Sequence, residues 1–477
     1  MAAGMLAAQN GRQADIAKAM HAVREAIPKA AADPARPVYH FHPPAQWNND
    51  PNGTIFYRGW HHLFYQHNPY EAKWGHMHWG HARSRDLVNW EHLPIALWPS
   101  LEKGEEHIFS GGAVLAADGK PRLIYTSIGK QRPPEQWLAI PKDDDLIEWE
   151  KYPGNPVLTL VSHGSLKVAD WRDPFMFVEA GTTYMVCGGN LNGRATGGAS
   201  AVQLYAATTG DLTAWKHRGT VFTYRNRDVI NIECPNLFRM GSQWVLLISP
   251  HRPCEYFVGS LDLERCRFQP ETYGVLDPGN DYATNISRDD RGRTILWYWG
   301  RTETDPAKGW NCCMAIPRIL SLDGAGLLRQ QPAEELNSLR GEPRKFDGVA
   351  LNGEPVPLGQ GDCAEIEAVF RAGGAGAVGL RVRGKTEIVW DPKGGVLQAG
   401  SVKKMLGIAQ PLRLRVFLDK RVLEVYANDG EAAIFTTVDP DADMAIQAFA
   451  RGGAARLESA RVWPLRAARM TLDRDTG

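Results

Sequence analysis

Trp47-Asn48-Asn49-Asp50-Pro51-Asn52-Gly53 is a polar stretch that leads directly into an apolar run, Thr54-Ile55-Phe56-Tyr57. Trp47 is its only side chain suited to a hydrophobic core, and Asn, Asp, Pro and Gly are typical turn residues. On its own, the stretch fits an ordinary loop before a strand as well as it fits a functional site. The rest of the chain decides between these two, because the same arrangement recurs along it.

Two patterns recur between residues 50 and 300. The first is a β-hairpin, two apolar strands around a short turn, and it occurs at residues 54–66, 112–127, 174–187, 236–249 and 283–299. The second is Asp-Leu followed by an aromatic, at Asp86-Leu87…Trp90, Asp145-Leu146…Trp149, Asp211-Leu212…Trp215 and, in degraded form, Asp262-Leu263…Phe268. These aromatics recur roughly every 60 residues, which leaves room for four short strands per repeat. Five hairpins at this spacing predict a five-bladed β-propeller.

The segments on either side of the repeats have other patterns. Residues 15–32 carry apolar side chains at helical spacing and predict a helix within an N-terminal segment, 1–36. The propeller is expected at 37–340, followed by a linker at 341–348. Alternating strands then continue, at residues 365–370, 378–382, 387–390, 412–418, 423–426, 433–438 and 445–450.

These later strands predict a C-terminal β-sandwich at residues 349–468. The turn Asn428-Asp429-Gly430 between two of them is typical of a hairpin. We expect the sandwich to be a structural partner of the propeller, with a lectin-like role as the alternative. The predicted fold is therefore all-β, a five-bladed β-propeller followed by a C-terminal β-sandwich, with a short N-terminal helix.

Composition narrows the classes of partner. The 477 residues carry no net charge, so the charge balance argues against binding to nucleic acid or to an acidic membrane surface. No apolar run is long enough for a membrane-spanning helix. The seven cysteines include no CxxC pair, and free thiols favour a reducing, cytoplasmic location. A periplasmic or secreted location is the alternative if a signal peptide has been trimmed. The oligomeric state stays open.

One or two residues, at least one of them polar, precede the first strand of every predicted hairpin. These residues are Asp50, Phe109-Ser110, Arg172-Asp173, Glu233-Cys234 and Asp281. The first strand of each propeller blade lines the central axis, so equivalent positions in successive blades converge at one end of the channel. The repeat therefore predicts a ring of carboxylates around one funnel.

Carboxylates gathered in a dry funnel should have pKa values driven apart. One can then stay ionised as a nucleophile while another holds a proton as an acid, which is the arrangement that glycosidic bond cleavage requires. A metal site is the competing use of several acids, and the run His76-Met77-His78-Trp79-Gly80-His81 offers further ligands. We expect hydrogen-bonded packing for these histidines, and neither a metal nor a cofactor.

The residues at these positions resemble glycoside hydrolase family 32, the β-fructofuranosidases. The resemblance rests on motifs that agree in order: residues 47–53, Tyr65-Gln66-His67-Asn68-Pro69, Trp74-Gly75, His78-Trp79-Gly80-His81-Ala82, Phe109-Ser110-Gly111, Trp171-Arg172-Asp173-Pro174, Glu233-Cys234-Pro235, Gly309-Trp310, Ile316-Pro317-Arg318, Glu335-Leu336 and Leu339-Arg340. It is strong from Tyr39 to Arg340 and weaker through the sandwich.

The resemblance implies a role for each matched residue. Asp50 would be the nucleophile, Glu233 the acid/base and Asp173 the stabiliser of the transition state. Asn49, Gln66, Trp74, Phe109, Ser110 and Arg172 would bind the fructosyl unit of a small carbohydrate substrate. Cys234 would tune the acid/base, or be a small buried hydrophobe. The implied reaction is hydrolysis of terminal β-D-fructofuranosides with retention of configuration, through a fructosyl-enzyme.

Three positions depart from the family pattern. Asn48 and Gly112 are unusual for their motifs and are expected near the pocket rim, where they would influence substrate preference. Asp281-Tyr282-Ala283 has one aromatic fewer than the family usually shows, so Asp281 is the weakest member of the predicted ring. Fructosyl transfer, exo-acting cleavage of inulin or levan, and a catalytically silent sugar-binding propeller are the alternative functions.

Overall fold

The structure, a computed structural model, describes residues 2–193, 198–224, 228–408 and 410–472, with side chains from residue 14 onward. The predicted N-terminal helix is present and starts earlier than expected, as α1 (Ala2–Ala31). Its apolar stripe packs on the strands that follow: Val23 and Ala30 contact Ala45 and Trp310, and Met20 contacts Ile95.

Five sheets follow, each built around a row of four antiparallel strands. They contain, in chain order, β1 (Gln46–Tyr57), β2 (Trp60–Asn68), β3 (His78–Ser84) and β4 (Trp90–Leu97); β5 (His107–Leu115), β6 (Pro121–Gly129), β7 (Arg132–Pro141) and β8 (Trp149–Lys151); β9 (Val168–Glu179), β10 (Thr182–Leu191), β11 (Ser200–Ala207) and β12 (Trp215–Thr223); β13 (Glu233–Met240), β14 (Gln243–Ser249), β15 (Glu255–Asp262) and β16 (Arg267–Val275); and β17 (Asp281–Arg288), β18 (Thr294–Gly300), β20 (Cys313–Met314), β21 (Arg318–Leu322) and β22 (Leu328–Pro332). Between β18 and β20 the chain forms the short strand β19 (Trp310–Asn311), which belongs to the first sheet. The five predicted hairpins are the first two strands of each sheet.

The five sheets close into a ring. Along it, β1 packs beside β5, β5 beside β9, β9 beside β13, β13 beside β17, and β17 beside β1 again. The short strand β19 pairs in parallel with β1, which ties the end of the fifth sheet to the first. The first strands therefore surround a common axis, as the repeat predicts.

A two-sheet β-sandwich follows the ring. Its strands are β23 (Arg344–Leu351), β24 (Val356–Gln360), β25 (Cys363–Arg371), β26 (Ala377–Val382), β27 (Thr386–Asp391), β28 (Val396–Ala399), β29 (Val402–Met405), β30 (Leu412–Asp419), β31 (Val422–Ala427), β32 (Ala432–Thr437), β33 (Ala445–Arg451) and β34 (Ala455–Pro464). The predicted linker at 341–348 requires correction, because β23 begins inside it and pairs with β34. The last strand, β35 (Met470–Thr471), returns to the ring and pairs with β4.

Fully buried charges join the sandwich to the ring. His40, just before β1, lies between two carboxylates of the sandwich, with Nδ1 2.9 Å from Asp419 Oδ2 and Nε2 3.1 Å from Glu424 Oε1. Arg318 Nη2 lies 3.0 Å from the other oxygen of Glu424 and 3.0 Å from Asp277. Because charges removed from water need partners, this network fixes how the two parts dock.

Candidate active site

The predicted site residues lie on β-bulges of the inner strands. In all five sheets the register between the first and second strands shifts near the same end: after Asn48, Ile108, Arg172, Glu233 and Tyr282. A bulge bends the strand and re-aims its side chains. The polar residues expected before the strands therefore lie within them, and the bulges direct several of these side chains into the channel.

Asp50 is held by a chain of polar side chains from the first two sheets. Ser110 Oγ donates to Asp50 Oδ2 at 2.5 Å, and Asn49 Nδ2 donates to Asp50 Oδ1 at 3.1 Å. Gln66 links these donors, accepting from Asn49 at 2.8 Å and donating to Ser110 at 2.7 Å. Burial raises the pKa of Asp50, and the hydrogen bond from Ser110 opposes that rise. The carboxylate is fixed in position with both oxygens engaged.

Asp173 lies on the third inner strand, with its backbone in the left-handed region at φ 64°. Its Oδ2 accepts the backbone N–H of Cys234 at 3.0 Å, and its own N–H donates to Thr126 Oγ1 at 2.9 Å. Burial raises the pKa of Asp173 to about 7, and the nearby Arg172 guanidinium opposes the rise. Asp173 is therefore the carboxyl group of the site with a pKa near neutrality.

Glu233 lies at the start of the fourth inner strand and pairs with Arg172. The distance from Arg172 Nη2 to Glu233 Oε1 is 2.6 Å, whereas Arg172 Nε lies 4.0 Å from Asp173 Oδ2. Burial opposes ionisation of Glu233, but the charge and hydrogen bond of Arg172, together with the hydrogen bond from Tyr282, lower the pKa of Glu233. Arg172 is thus mainly the partner of Glu233, although it adjoins Asp173 in sequence.

Cys234 lies between the carboxylates of Asp50 and Asp173. Its Sγ lies 3.6 Å from Asp50 Oδ2 and 3.8 Å from Asp173 Oδ2. Burial raises the pKa of the thiol, so the sulfur keeps its proton and can donate to these carboxylates. The contacts of Cys234 are with Asp50 and Asp173, not with the adjacent Glu233 carboxylate expected from sequence.

Two aromatic residues of the predicted pocket form a separate group. Trp74 is 50% exposed, and its ring lies 6.2 Å from that of Phe109 and 5.1 Å from that of His107. Phe109 directly precedes Ser110, so this aromatic wall adjoins the Asp50 network. The described residues thus bring seven of the nine predicted site residues together around the carboxyls, with Phe109 and Trp74 beside them through Ser110.

Asp281 does not belong to this end of the channel. It is fully buried and lies 3.3 Å from Arg318 Nη2 in the charge network that faces the sandwich. Bulging turns the next residue toward the site instead, because Tyr282 Oη donates to Glu233 Oε2 at 2.7 Å. The prediction that Asp281 completes the carboxylate ring is therefore wrong.

The predicted rim positions Asn48 and Gly112 are both interior. Asn48 is completely buried, and neither of its amide atoms has a hydrogen-bond partner among the described residues. Gly112 packs against the third inner strand, where an added Cβ would lie 3.2 Å from the carbonyl oxygen of Pro174. Close packing of neighbouring inner strands, not exposure to substrate, accounts for the glycine.

Sequence reasoning missed two residues that contact Glu233. Besides Tyr282, His251 Nε2 lies 3.6 Å from Glu233 Oε2, on the turn after β14. The backbone N–H of His251 donates to Tyr282 Oη at 2.9 Å, which links the two. The family departure at Asp281-Tyr282-Ala283 was the one signal in the sequence that pointed to Tyr282.

Within the described residues, no group of three or more His, Cys, Asp or Glu side chains is arranged to hold a metal ion. The histidine-rich run packs inside the first sheet: His81 Nε2 lies 3.0 Å from His62 Nδ1, and its ring stacks on Phe64. All seven cysteines are free. Over the same part of the chain, no helix has the length and apolar character needed to cross a membrane.

Comparison with known proteins gives a consistent result. The model described as "Glycosyl hydrolases family 32 N-terminal domain" matches residues 40–332, and the model "Glycosyl hydrolases family 32 C terminal" matches residues 335–464. A levanase of Bacillus subtilis is 31% identical over 90% of this chain and 70% of its own length. A sucrose-6-phosphate hydrolase of Escherichia coli is 28% identical over 94% of this chain and 99% of its own.

The solved structure of the Bombyx mori GH32 beta-fructofuranosidase BmSUC1 superimposes with a TM-score of 0.82 at 30% identity, covering 96% of this chain and 99% of that one. The chain spans a smaller share of the plant beta-fructofuranosidases that it matches, 55% in the case of an Arabidopsis thaliana vacuolar enzyme.

Proposed function

The chain belongs to glycosyl hydrolase family 32, and from this premise we propose that it hydrolyses terminal β-D-fructofuranosides with retention of configuration. One observation supports this most directly: Asp50, Asp173 and Glu233 come from three different sheets and meet around Arg172 and Cys234. Three buried carboxyls whose pKa values are shifted in different directions suit cleavage of a glycosidic bond.

Asp50 is the proposed nucleophile. Its hydrogen bonds from Ser110 and Asn49 favour the ionised form and aim the carboxylate. It attacks the anomeric carbon of the fructosyl unit, and the bond from that carbon to the leaving-group oxygen breaks. A covalent fructosyl-enzyme forms with inverted configuration at the anomeric carbon, and a second inversion by water gives net retention.

Glu233 is the proposed acid/base. It gives a proton to the leaving oxygen in the first step and takes one from the attacking water in the second. Arg172 and Tyr282 each contact one of its oxygens, which orients the carboxyl between them. Arg172 favours the ionised form of Glu233 in the free site, so the acid role requires Glu233 to take up a proton when substrate binds.

Asp173 is the proposed stabiliser of the transition state. Its Oδ2 is fixed by the Cys234 N–H, which leaves Oδ1 to accept hydrogen bonds from fructosyl hydroxyls. Asn49, Gln66, Ser110 and Arg172 would bind the same unit, and the aromatic wall of Trp74 and Phe109 would pack on it. We assign the ring of sheets as a five-bladed β-propeller at residues 37–340 and the sandwich as the domain that follows.

Sucrose is the simplest substrate for this chemistry. The similarity to a levanase favours exo-acting cleavage of fructans as a second candidate, and the similarity to a sucrose-6-phosphate hydrolase favours a phosphorylated sucrose. Fructosyl transfer would use the same intermediate with a sugar hydroxyl in place of water. A cytoplasmic location is part of the proposal, on the ground of the free cysteines alone.

A substrate panel tests the proposal. Purified protein is incubated with sucrose, sucrose 6-phosphate, raffinose, inulin and levan, and released fructose is measured, with NMR used to follow the anomer first formed. Asp50→Asn and Glu233→Gln should each lower kcat by at least about 100-fold. Asp170→Asn is the matched control, since that exposed carboxylate lies 3.7 Å from Arg172 Nη1. Wild-type rates in the Asp50 and Glu233 variants would refute the assignment.

A further inference from the structure

Arg301 is a cation on the wall that the fifth sheet forms in the channel. It has no role in the proposed mechanism. It follows β18 directly, and its side chain is half-buried. Its guanidinium carbon lies 5.5 Å from the centre of the Tyr282 ring and 5.8 Å from that of Trp299. Cations over aromatic faces are held by the ring quadrupole, so the two rings keep this side chain against the wall.

Both rings under Arg301 belong to the site. Tyr282 Oη donates to Glu233, and Trp299 packs edge-on against Trp47 at a ring distance of 5.8 Å. Trp47 in turn donates to Asn49 Oδ1 at 2.7 Å, within the Asp50 network. Arg301 is therefore one side chain removed from Glu233, on the side of the channel where the proposed acid/base stands.

The charge of Arg301 is not neutralised within the described part of the chain. Its Nε donates to the carbonyl oxygen of Asn280 at 3.3 Å, which sets the direction of the guanidinium plane. No described carboxylate forms an ion pair with it, whereas Arg172 pairs with Glu233 and Arg252 pairs with Glu255, each at 2.6 Å. The terminal Nη1 and Nη2 groups therefore have a fixed orientation and are available to bind an anion.

We propose that Arg301 binds a phosphate monoester on the leaving-group sugar, so that the preferred substrate is a phosphorylated fructoside. The inference rests on the proposed function, because an acid/base at Glu233 is what puts the leaving group on this wall. A guanidinium fork matches two phosphate oxygens, and such charge-assisted pairs are stronger than contacts to neutral hydroxyls.

The test compares sucrose with sucrose 6-phosphate, which carries the phosphate on the glucosyl unit, and with sucrose 6′-phosphate, which carries it on the fructosyl unit. Wild type should prefer sucrose 6-phosphate in kcat/KM. Arg301→Gln should lower kcat/KM for that substrate by about 10- to 100-fold, and for sucrose by no more than about threefold. Arg301→Lys should recover part of the loss.

Arg267→Gln is the matched control. It removes the same charge from the outer strand β16, where Arg267 contacts Gln269, and all three substrates should keep their wild-type kcat/KM. Equal losses for sucrose and sucrose 6-phosphate in Arg301→Gln, or a wild-type preference for the phosphate on the fructosyl unit, would overturn the proposal. Fructose release from sucrose without any preference for phosphate would refute the inference and leave the proposed function intact, whereas no release from any fructoside would refute both.

Discussion

Arg172 Nη2 lies 2.6 Å from Glu233 Oε1, although 61 positions separate the two residues in the sequence. This contact reverses the simplest reading of the carboxyl cluster, in which the acid/base would have the highest pKa. The charge and hydrogen bond of Arg172, together with the hydrogen bond from Tyr282, offset burial at Glu233 and lower its pKa, while burial raises the pKa of Asp173 to about 7. The proton most firmly held in the free site is therefore on Asp173.

The first prediction concerns the alkaline limb of the pH profile. The kcat/KM of the wild type should fall as pH rises through about 7, where the cluster loses its most firmly held proton. Arg172→Gln removes the charge that favours ionised Glu233 and should move this limb to higher pH while reducing the rate. Arg172→Lys keeps the charge and is the control. An unshifted limb in Arg172→Gln would contradict the role given to the ion pair.

The second prediction concerns the acidic limb. Ser110→Ala removes the hydrogen bond that most lowers the pKa of Asp50, so the acidic limb of kcat/KM should move to higher pH. The rate at the optimum should fall about 10- to 100-fold, as expected for one hydrogen bond to a charged group. Cys234→Ala, which removes a weaker contact to the same oxygen, should produce a smaller shift. The reverse order would mean that the thiol, not the hydroxyl, controls Asp50.

The third prediction is that the site lowers stability above neutral pH. The folded-state pKa of Asp173 is raised from 3.8 to about 7, so the folded state binds this proton more tightly than the unfolded chain does. Stability is therefore lost as pH rises from about 4 to 7. The free energy of unfolding of Asp173→Asn, measured in urea, should exceed that of wild type by about 1 to 3 kcal/mol at pH 8. At pH 4 the two proteins should have the same free energy of unfolding.

Asp170→Asn serves as the control for that measurement, and its stability should follow wild type at both pH values. An Asp173→Asn variant that is less stable than wild type at pH 8 would show that its hydrogen bonds outweigh the cost of burying the charge.

The fourth prediction concerns the junction of ring and sandwich. Burial opposes the charge on His40, but hydrogen bonds to Asp419 and Glu424 raise its pKa to about 9. A raised pKa contributes stability in full below about 6.5, and this is lost as pH rises through about 9. His40→Gln should cost about 3 to 5 kcal/mol at pH 6, because it removes the cation that pairs with buried Asp419 and leaves Glu424 with Arg318 alone.

Thermal unfolding at pH 6 and pH 9.5 checks this, with exposed His21→Gln as the control. The difference in unfolding temperature between His40→Gln and wild type should be smaller at the higher pH. An equal difference in unfolding temperature at both pH values would show that the imidazole acts by packing and not by charge.

The sequence allowed much of the fold to be predicted, because the hairpins repeat with strand periodicity and end in clear turns. The same repeat brought Asp50, Asp173 and Glu233 to one end of the channel, since equivalent positions in a ring converge. It could not identify Tyr282 as the contribution of the fifth sheet, because a bulge moves the functional position by one residue. Nor could it separate a rim residue from an interior one at Asn48 and Gly112.

The sequence by itself thus determined the kind of fold, the motifs of the family and the identity of the three carboxyls. The tertiary structure alone decided which carboxyl pairs with Arg172, where Asp281 points and which cation on the wall is left unpaired. The physical reason is that periodicity records the direction of a side chain along its own strand. Charge pairing and pKa depend instead on distances of a few ångströms between strands that lie far apart in the chain.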